Sequence, residues 1–344
     1  MTGLSLIIIN KNNSHLLNEC LKRIFNQNFN FSKLEVLVLD GGSTDDSKKI
    51  VNSYEGVSFL DVGYHEDMEA RRYVGIEISK NEIVGSIDTD NWIVGQNFLK
   101  EMIQPFKDNP NVLGTYTKHY SCSDNISSID NYYALIGGND PVAYYLKKND
   151  RLEIGKSNYS KKIGQIVKKN YSYDLIKFNL DYLPVIGGNG FFIRKKIALD
   201  YNTLQNPKLF FHTDFNLQIL KKNNNLLFGI VNNSIIHNSG HNLFRSLKKR
   251  LKYAFSYNVR YKSNRVYNIF DIKSLRDLLN LFIFIIGTIT FVETTLRAFY
   301  FYYLTKRKEW FLHPIVSFFQ FLSYSLFYLL IFLKKIKKNV LKNN

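Results

Sequence analysis

Glu82-Ile83-Val84-Gly85-Ser86-Ile87-Asp88-Thr89-Asp90-Asn91 decides the fold of this chain. Ile83 to Ile87 is a short apolar run of strand character that leads straight into two carboxylates one residue apart. Side chains alternate along a strand, so Asp88 and Asp90 leave the same face with only Thr89 between them. Two negative charges held that close repel each other. A hard divalent cation such as Mg2+ or Mn2+ relieves the repulsion and keeps positions open for phosphate oxygens. An Asp-x-Asp alone also fits a solvated turn at a strand end, so its meaning rests on what surrounds it.

Upstream, strand-like and helix-like stretches alternate. Leu4 to Ile9 is a β-rich apolar run ending in the polar turn Asn10-Lys11-Asn12-Asn13, and Leu16, Leu17, Cys20, Leu21 and Ile24 follow at helical spacing. Leu34 to Leu39 forms a second buried strand that ends at Asp40-Gly41-Gly42-Ser43-Thr44-Asp45, where the paired glycines permit a tight strand-to-helix turn. Val57 to Val62 reads as a third strand, and a helix from Met68 to Ser79 precedes the opening stretch. This rhythm predicts an α/β fold with a mostly parallel sheet covered by helices on both faces. Ligands of such sheets bind beyond the carboxyl ends of the strands. Asn10, Asp40, Asp88 and Asp90 all fall there.

Taken in order, these motifs resemble the family-2 glycosyltransferases of the GT-A fold, over roughly residues 4 to 240. Leu4 to Asn12 is similar to their first strand and turn, with Ile9 for the usual Pro and Lys11 for the usual Tyr. Leu39 to Asp45 resembles their Asp-Gly-Ser turn, with Gly41 where a second Asp is common. Arg72-Tyr73-Val74-Gly75-Ile76, then Ile83 to Asp90, follows their Arg-Asn-x-Gly-Ile and Asp-x-Asp stretch, with departures at Tyr73 and Asn81. The resemblance implies a Rossmann-like nucleotide-sugar site built from Asn10, Asn12, Asp40, Arg72, Asp88 and Asp90. Asp40 can accept from the N3–H of uracil or from the N1–H and amino group of guanine, or it can cap its own turn. Arg72 would meet the diphosphate or, alternatively, pair with a surface carboxylate; Arg71 and Arg72 are helix neighbours, and the spacing to Gly75 selects Arg72. Asp90, and more weakly Asp88, would hold a Mg2+ or Mn2+ ion against the leaving nucleoside diphosphate, while the resemblance more often gives Asp88 the ribose.

Further on, Gly187-Gly188-Asn189-Gly190 resembles the loop under acceptor and donor sugar, with a plain hairpin-like turn as the competing explanation of Gly188, Asn189 and Gly190. Phe210 to Leu217 is similar to the family's Glu-Asp-x-x-Leu helix start, with Thr213 for the Glu and Leu220 for a later Arg. That makes Asp214 the candidate general base or, alternatively, a helix cap. His237 closes the apolar run Ile235-Ile236 and is a lesser candidate metal ligand. Between these motifs, Ser121 to Asp181 is long, polar and Tyr-rich, as expected of a functional insertion or lid. Asn139 and Asp140 within it fit a turn and helix cap, or a substrate contact.

Composition bounds the rest. Among 344 residues, 46 Lys and Arg face 29 Asp and Glu, a net charge of +17, and aromatics reach 15%. The basic residues thicken after residue 244 beside long apolar runs, which favours a membrane surface over nucleic acid. Cys20 and Cys122 lie far apart without metal-ligand spacing, which fits a reducing compartment. Phe244 to Arg265 reads as a basic amphipathic helix on an anionic surface. Leu278 to Leu304, interrupted by Glu293 and Arg297 four residues apart, and Phe311 to Leu333 are each long enough to cross a bilayer. Lys306-Arg307-Lys308 between them opposes a simple hairpin and favours a re-entrant or interfacial first run.

The expectation is therefore a GT-A domain over 1–242, a basic interfacial segment over 243–270 and membrane helices with a basic tail over 271–344. It would act at the cytoplasmic face of the cell membrane, moving a sugar from a UDP- or GDP-linked donor to a lipid-linked or other glycan acceptor. Polyprenyl-phosphate sugar synthesis, with a phosphate acceptor, is the alternative activity. A non-catalytic membrane scaffold that retains the fold is the alternative of another kind.

Overall fold

The computed structural model describes residues 3–202, 208–240, 242–255 and 261–343. Four parallel strands open the chain: β1 (Leu4–Asn10), β2 (Leu34–Asp40), β3 (Val57–Asp61) and β4 (Ile83–Asp88). β1 lies between β2 and β4, and its apolar run is buried along its whole length, as a two-sided sheet requires. Helices α1 (Ser14–Phe25), α2 (Ser47–Asn52) and α3 (Met68–Ile78) make the crossovers. α1 buries Leu16, Leu17, Cys20, Leu21 and Ile24, the face its spacing predicts.

Beyond β4 the sheet is mixed rather than parallel. The ten strands include β5 (Asn91–Ile93), β6 (Val112–Tyr120), β7 (Gly164–Lys169), β8 (Tyr173–Phe178), β9 (Phe191–Arg194) and β10 (Leu227–His237). The short β9 inserts antiparallel between β4 and β6. β10 runs parallel to β6 and antiparallel to β8 and β5. The expected parallel order holds for β1 to β4 and again for the β6–β10 pair, while β5, β8 and β9 run against them. Helices α4 (Phe98–Asp108), α5 (Ser128–Leu135), α6 (Pro141–Tyr145), α7 (Lys195–Asn202) and α8 (His212–Lys222) complete the layers. Residues 121–181, expected as an insertion or lid, hold α5, α6 and the β7–β8 hairpin, and bury Tyr132, Tyr144 and Arg151.

The C-terminal helices pack onto α5 and α6. They are α9 (Leu243–Phe255), α10 (Leu275–Thr290), α11 (Val292–Thr305) and α12 (His313–Asn343). Polar bonds join the two parts: Lys148 Nζ to Asp277 at 2.7 Å, Tyr132 Oη to His313 at 2.8 Å and Tyr133 Oη to Ser246 at 2.8 Å. Residues 256–260 of the expected interfacial segment lie outside the described residues. The first apolar run is not one straight span. It bends by 94° between α10 and α11, at Phe291 with φ +60°. Glu293 and Arg297, the expected i,i+4 pair, do meet, at 2.8 Å. Residues 308–334 form one helical stretch long and apolar enough to cross a membrane, and most of its apolar window is left unburied. Leu296, Tyr303, Leu329 and Phe332 are among many large apolar side chains these helices leave exposed.

Candidate active site

The register of the first strands builds one rim. Asn10 pairs with Asp40 across β1 and β2, and Ile9 with Asp88 across β1 and β4. Just past β4 the chain turns into β5, whose Asn91 pairs with His237 at the end of β10. That antiparallel pairing carries His237 to Asp90, with Nε2 3.4 Å from Oδ2. Burial acts to raise the Asp90 carboxyl, but the charge and hydrogen bond of His237, with Lys249 behind them, hold it down at about 2. Burial disfavours the His237 imidazolium, yet Asp90 raises its pKa above the ordinary value. Asp88 moves the other way: burial lifts its carboxyl, Arg72 opposes, and the Asp90 charge adds to the lift.

A cleft of about 210 Å³ opens at this rim, lined by Asn10, Asp88, Asp90, Asn189 and His237, and also by Lys11, Arg71, Asn139, Lys249 and Tyr253. Of the sequence-predicted residues, Asn12, Asp40, Arg72, Gly188, Gly190 and Asp214 do not line it. Asp40 is spent on its own turn, accepting from Ser43 N at 2.6 Å, Ser43 Oγ at 2.6 Å and Asn10 Nδ2 at 2.8 Å. Asn12 ties the first two strand ends together by accepting from Thr44 N at 2.8 Å. Arg72 is buried, donating to Glu69 at 2.7 Å, Asp88 at 2.9 Å and Ser86 Oγ at 2.9 Å. It is Arg71, not Arg72, whose side chain reaches the cleft.

The glycine loop supplies Asn189. Its amide donates to Tyr120 Oη at 3.0 Å and accepts from Asn91 Nδ2 at 3.2 Å, and Asn91 in turn donates to Asp90 at 2.9 Å. Gly190 sits at φ +66°, and a Cβ there would fall 2.1 Å from Ile235 Cδ1. Gly188 leaves room for His212 and the Arg72 guanidinium, each about 3 Å from where its Cβ would lie. A smaller cavity of about 20 Å³, lined by Tyr120, Asp150, Asn139 and His237 among others, adjoins the cleft. Asp150 was invisible to motif reasoning; it accepts from Tyr120 Oη and Gly187 N. Asp140 caps α6 through Val142 N at 2.8 Å.

Asp214 lies in the first turn of α8 and is 1% exposed. Its carboxylate accepts from Arg265 Nε at 2.6 Å and from the backbone N–H groups of Val266 and Tyr267 at 2.6 and 2.9 Å. Arg265 bears electrostatically on Glu69 as well. A chain of alternating charge therefore runs from Asp88 through Arg72, Glu69 and Arg265 to Asp214.

The donor set accommodates a divalent cation in part. Asp90 and His237 offer a carboxylate and an imidazole on one wall of the cleft, while Asp88 is committed to Arg72. Among the described residues no group of three or more acidic, His or Cys side chains is placed to hold a metal. The remaining positions of a bound ion would then fall to phosphate oxygens or water, as is usual for a hard ion that serves a phosphorylated substrate.

A family model described as glycosyl transferase family 2 matches residues 5–178. Glycosyltransferase GlyG of Streptococcus pneumoniae is 27% identical over 143 residues, 40% of this chain and 44% of that protein. Glycosyltransferase AglE of Haloferax volcanii is 33% identical over 90 residues, 25% of this chain and 30% of that protein. The chain thus spans less than half the length of these curated relatives. Among solved structures, the mannosyltransferase PcManGT from Pyrobaculum calidifontis, in complex with GDP-Man and Mn2+, aligns with a TM-score of 0.48 at 11% identity, over 93% of this chain and 86% of that one. S. aureus TarS in complex with UDP-GlcNAc aligns with a TM-score of 0.38 at 18% identity, over 58% of this chain and 47% of that one. The match to the family model runs from β1 through the Asp-x-Asp rim to the end of β8, half of the sequence, and the chain belongs to glycosyl transferase family 2.

Proposed function

We propose that this chain is an inverting glycosyltransferase that moves a sugar from a UDP- or GDP-linked donor to a lipid-linked or other membrane-proximal glycan acceptor. The observation that carries it is the meeting of Asp90 and His237 beside Asp88, on a cleft that also holds the cations Arg71 and Lys249. Asp90 and His237 would hold a Mg2+ or Mn2+ ion, which when bound neutralises charge on the departing diphosphate. Asp88 is positioned by Arg72 and supplies negative potential to the same wall. Asp214 takes the proton of the acceptor hydroxyl. To do so it must shed the strap of Arg265, Val266 and Tyr267, which caps both its oxygens. A donor screen on membranes, with nucleoside diphosphate release as the signal, tests the activity directly.

The strap over Asp214 favours a second reading. If the acceptor is a polyprenyl phosphate, its oxygen is already ionised and no base is needed. Asp214→Asn separates the two. For a hydroxyl acceptor, kcat should fall by roughly a hundred-fold or more with the donor KM little changed. Substantial retained activity would instead assign a phosphate acceptor.

The working place proposed is the cytoplasmic face of the cell membrane, with the C-terminal helices as anchor. Exposed apolar side chains along α10, α11 and α12 support this, since water disfavours a continuous apolar surface of that size. The full chain is expected to stay in the membrane pellet through an alkaline carbonate wash. Release into the supernatant would remove the anchor.

A further inference from the structure

We propose that the diphosphate of the donor is gripped by Arg71 and Lys249, with Arg72 confined to holding the wall of the cleft; this rests on the glycosyltransferase reading. Arg72 has no free capacity. It closes two buried ion pairs and a hydrogen bond to Ser86, so a phosphate could reach it only by breaking them. Arg71 stands differently. It is 4% exposed, and its Nη1 donates to two backbone carbonyls, Asn10 at 2.6 Å and Leu39 at 3.3 Å. Its Nε is buried with no partner, and among the described residues no carboxylate lies within ion-pair distance of it. A buried guanidinium left without an anion is costly, and a ligand phosphate is the group that would relieve it.

The turn after β2 is shaped for this arginine. A Cβ on Gly41 would fall 2.5 Å from Arg71 Nη1 and 2.8 Å from its Cζ. The lack of a side chain at Gly41 lets Arg71 lie against the strand end.

Lys249 approaches from α9. The sequence alone places it among charges facing a membrane, yet in the fold it lines the cleft, with its ammonium 5.9 Å from the centre of the Tyr253 ring. No salt bridge closes on it among the described residues, and its charge is felt at both Asp88 and Asp90. Lys11, the other cation of the cleft, already pairs with Glu66 at 2.6 Å. Arg71 and Lys249 are therefore the two cleft cations with no carboxylate at ion-pair distance among the described residues, and a multiply charged diphosphate is the part of a nucleotide sugar that matches them.

The test measures binding of UDP, GDP and the parent nucleosides to the full chain in the presence of Mn2+. Lys249→Met is expected to weaken diphosphate binding roughly ten- to a hundred-fold, the range for a lost charge-assisted hydrogen bond, and to leave nucleoside binding within about two-fold. Arg71→Met should behave alike, and Arg71→Lys should recover part of the loss; if Arg71→Met does not fold, Lys249→Met carries the test. Lys248→Ala, on the exposed side of α9, should bind like the parent. Diphosphate binding unchanged in Lys249→Met, or an equal loss of nucleoside binding, overturns the grip. Asp90→Ala in the same assay keeps the two levels apart. If it loses the diphosphate while Lys249→Met does not, the glycosyltransferase reading stands and only the grip falls. If the parent chain binds no nucleoside diphosphate, both fall.

Discussion

Asp90→Ala is expected to abolish Mn2+-dependent binding of UDP or GDP and to cut turnover by at least about a thousand-fold, because a metal's stabilisation of the leaving diphosphate is worth several kcal/mol. The expectation follows from electrostatics at the rim. Held down at about 2, the Asp90 carboxyl is ionised at any pH at which the protein would work. The substitution thus removes a full charge and an oxygen ligand together. His237 would lose the carboxylate it meets on that wall, and the imidazole alone is a poor site for Mg2+ or Mn2+. Asp88 cannot take over, because Arg72 already claims both its oxygens at 2.9 and 3.3 Å. Calorimetry with and without Mn2+, alongside nucleoside diphosphate release, reads both effects. A folded Asp90→Ala chain that still binds UDP or GDP with undiminished metal dependence would place the ion on other residues and overturn Asp90 as its ligand.

What could be read in advance followed the physics of each signal. Apolar runs such as Leu4 to Ile9 and Leu34 to Leu39 announce buried parallel strands, and each ends in a polar turn, so the rim carrying Asn10, Asp40, Asp88 and Asp90 was legible. β9 was not. Four residues, Phe191 to Arg194, carry no usable period, and only tertiary pairing turns them antiparallel between β4 and β6. Arg71 and Arg72 defeat spacing arguments for a different reason. Both side chains reach the strand ends from the same helix, and spacing does not say that Glu69 and Asp88 hold Arg72 while Arg71 lines the cleft. The partners of Asp214 come from more than fifty positions away, in a stretch whose basic character pointed to lipid. Charge density there described two populations at once: Lys249 turns to the cleft, while Arg245 and Lys248 stay on the exposed side of α9. Asp150 and Tyr120 belong to no motif at all: β6 carries Tyr120 to Asn189, and the packing of the 121–181 segment brings Asp150 onto the Tyr120 hydroxyl.

The second large effect falls on stability. Arg72→Met should destabilise the fold by about 3–5 kcal/mol, the cost of breaking a buried ion pair from one side. Methionine fills much of the arginine's volume, so little of the loss comes from a cavity. It comes from Glu69 and Asp88, both largely sequestered from water and left facing each other without a cation between them. Burial already raises the Glu69 carboxyl, with Arg72 as the main opposing influence and the Asp88 charge adding to the rise. The stranded pair should respond by taking up a proton. Replacing Glu69 by Gln in the Arg72→Met background removes one of the two uncompensated charges, so the double variant is expected to regain part of the lost stability. A purely steric role for Arg72 predicts that the two substitutions simply add. Chemical unfolding of the full chain in detergent, run on the parent, both single variants and the double variant, distinguishes these outcomes. A loss under about 1 kcal/mol in Arg72→Met would mean the guanidinium is not committed to its two carboxylates, and a diphosphate could then claim it in place of Arg71.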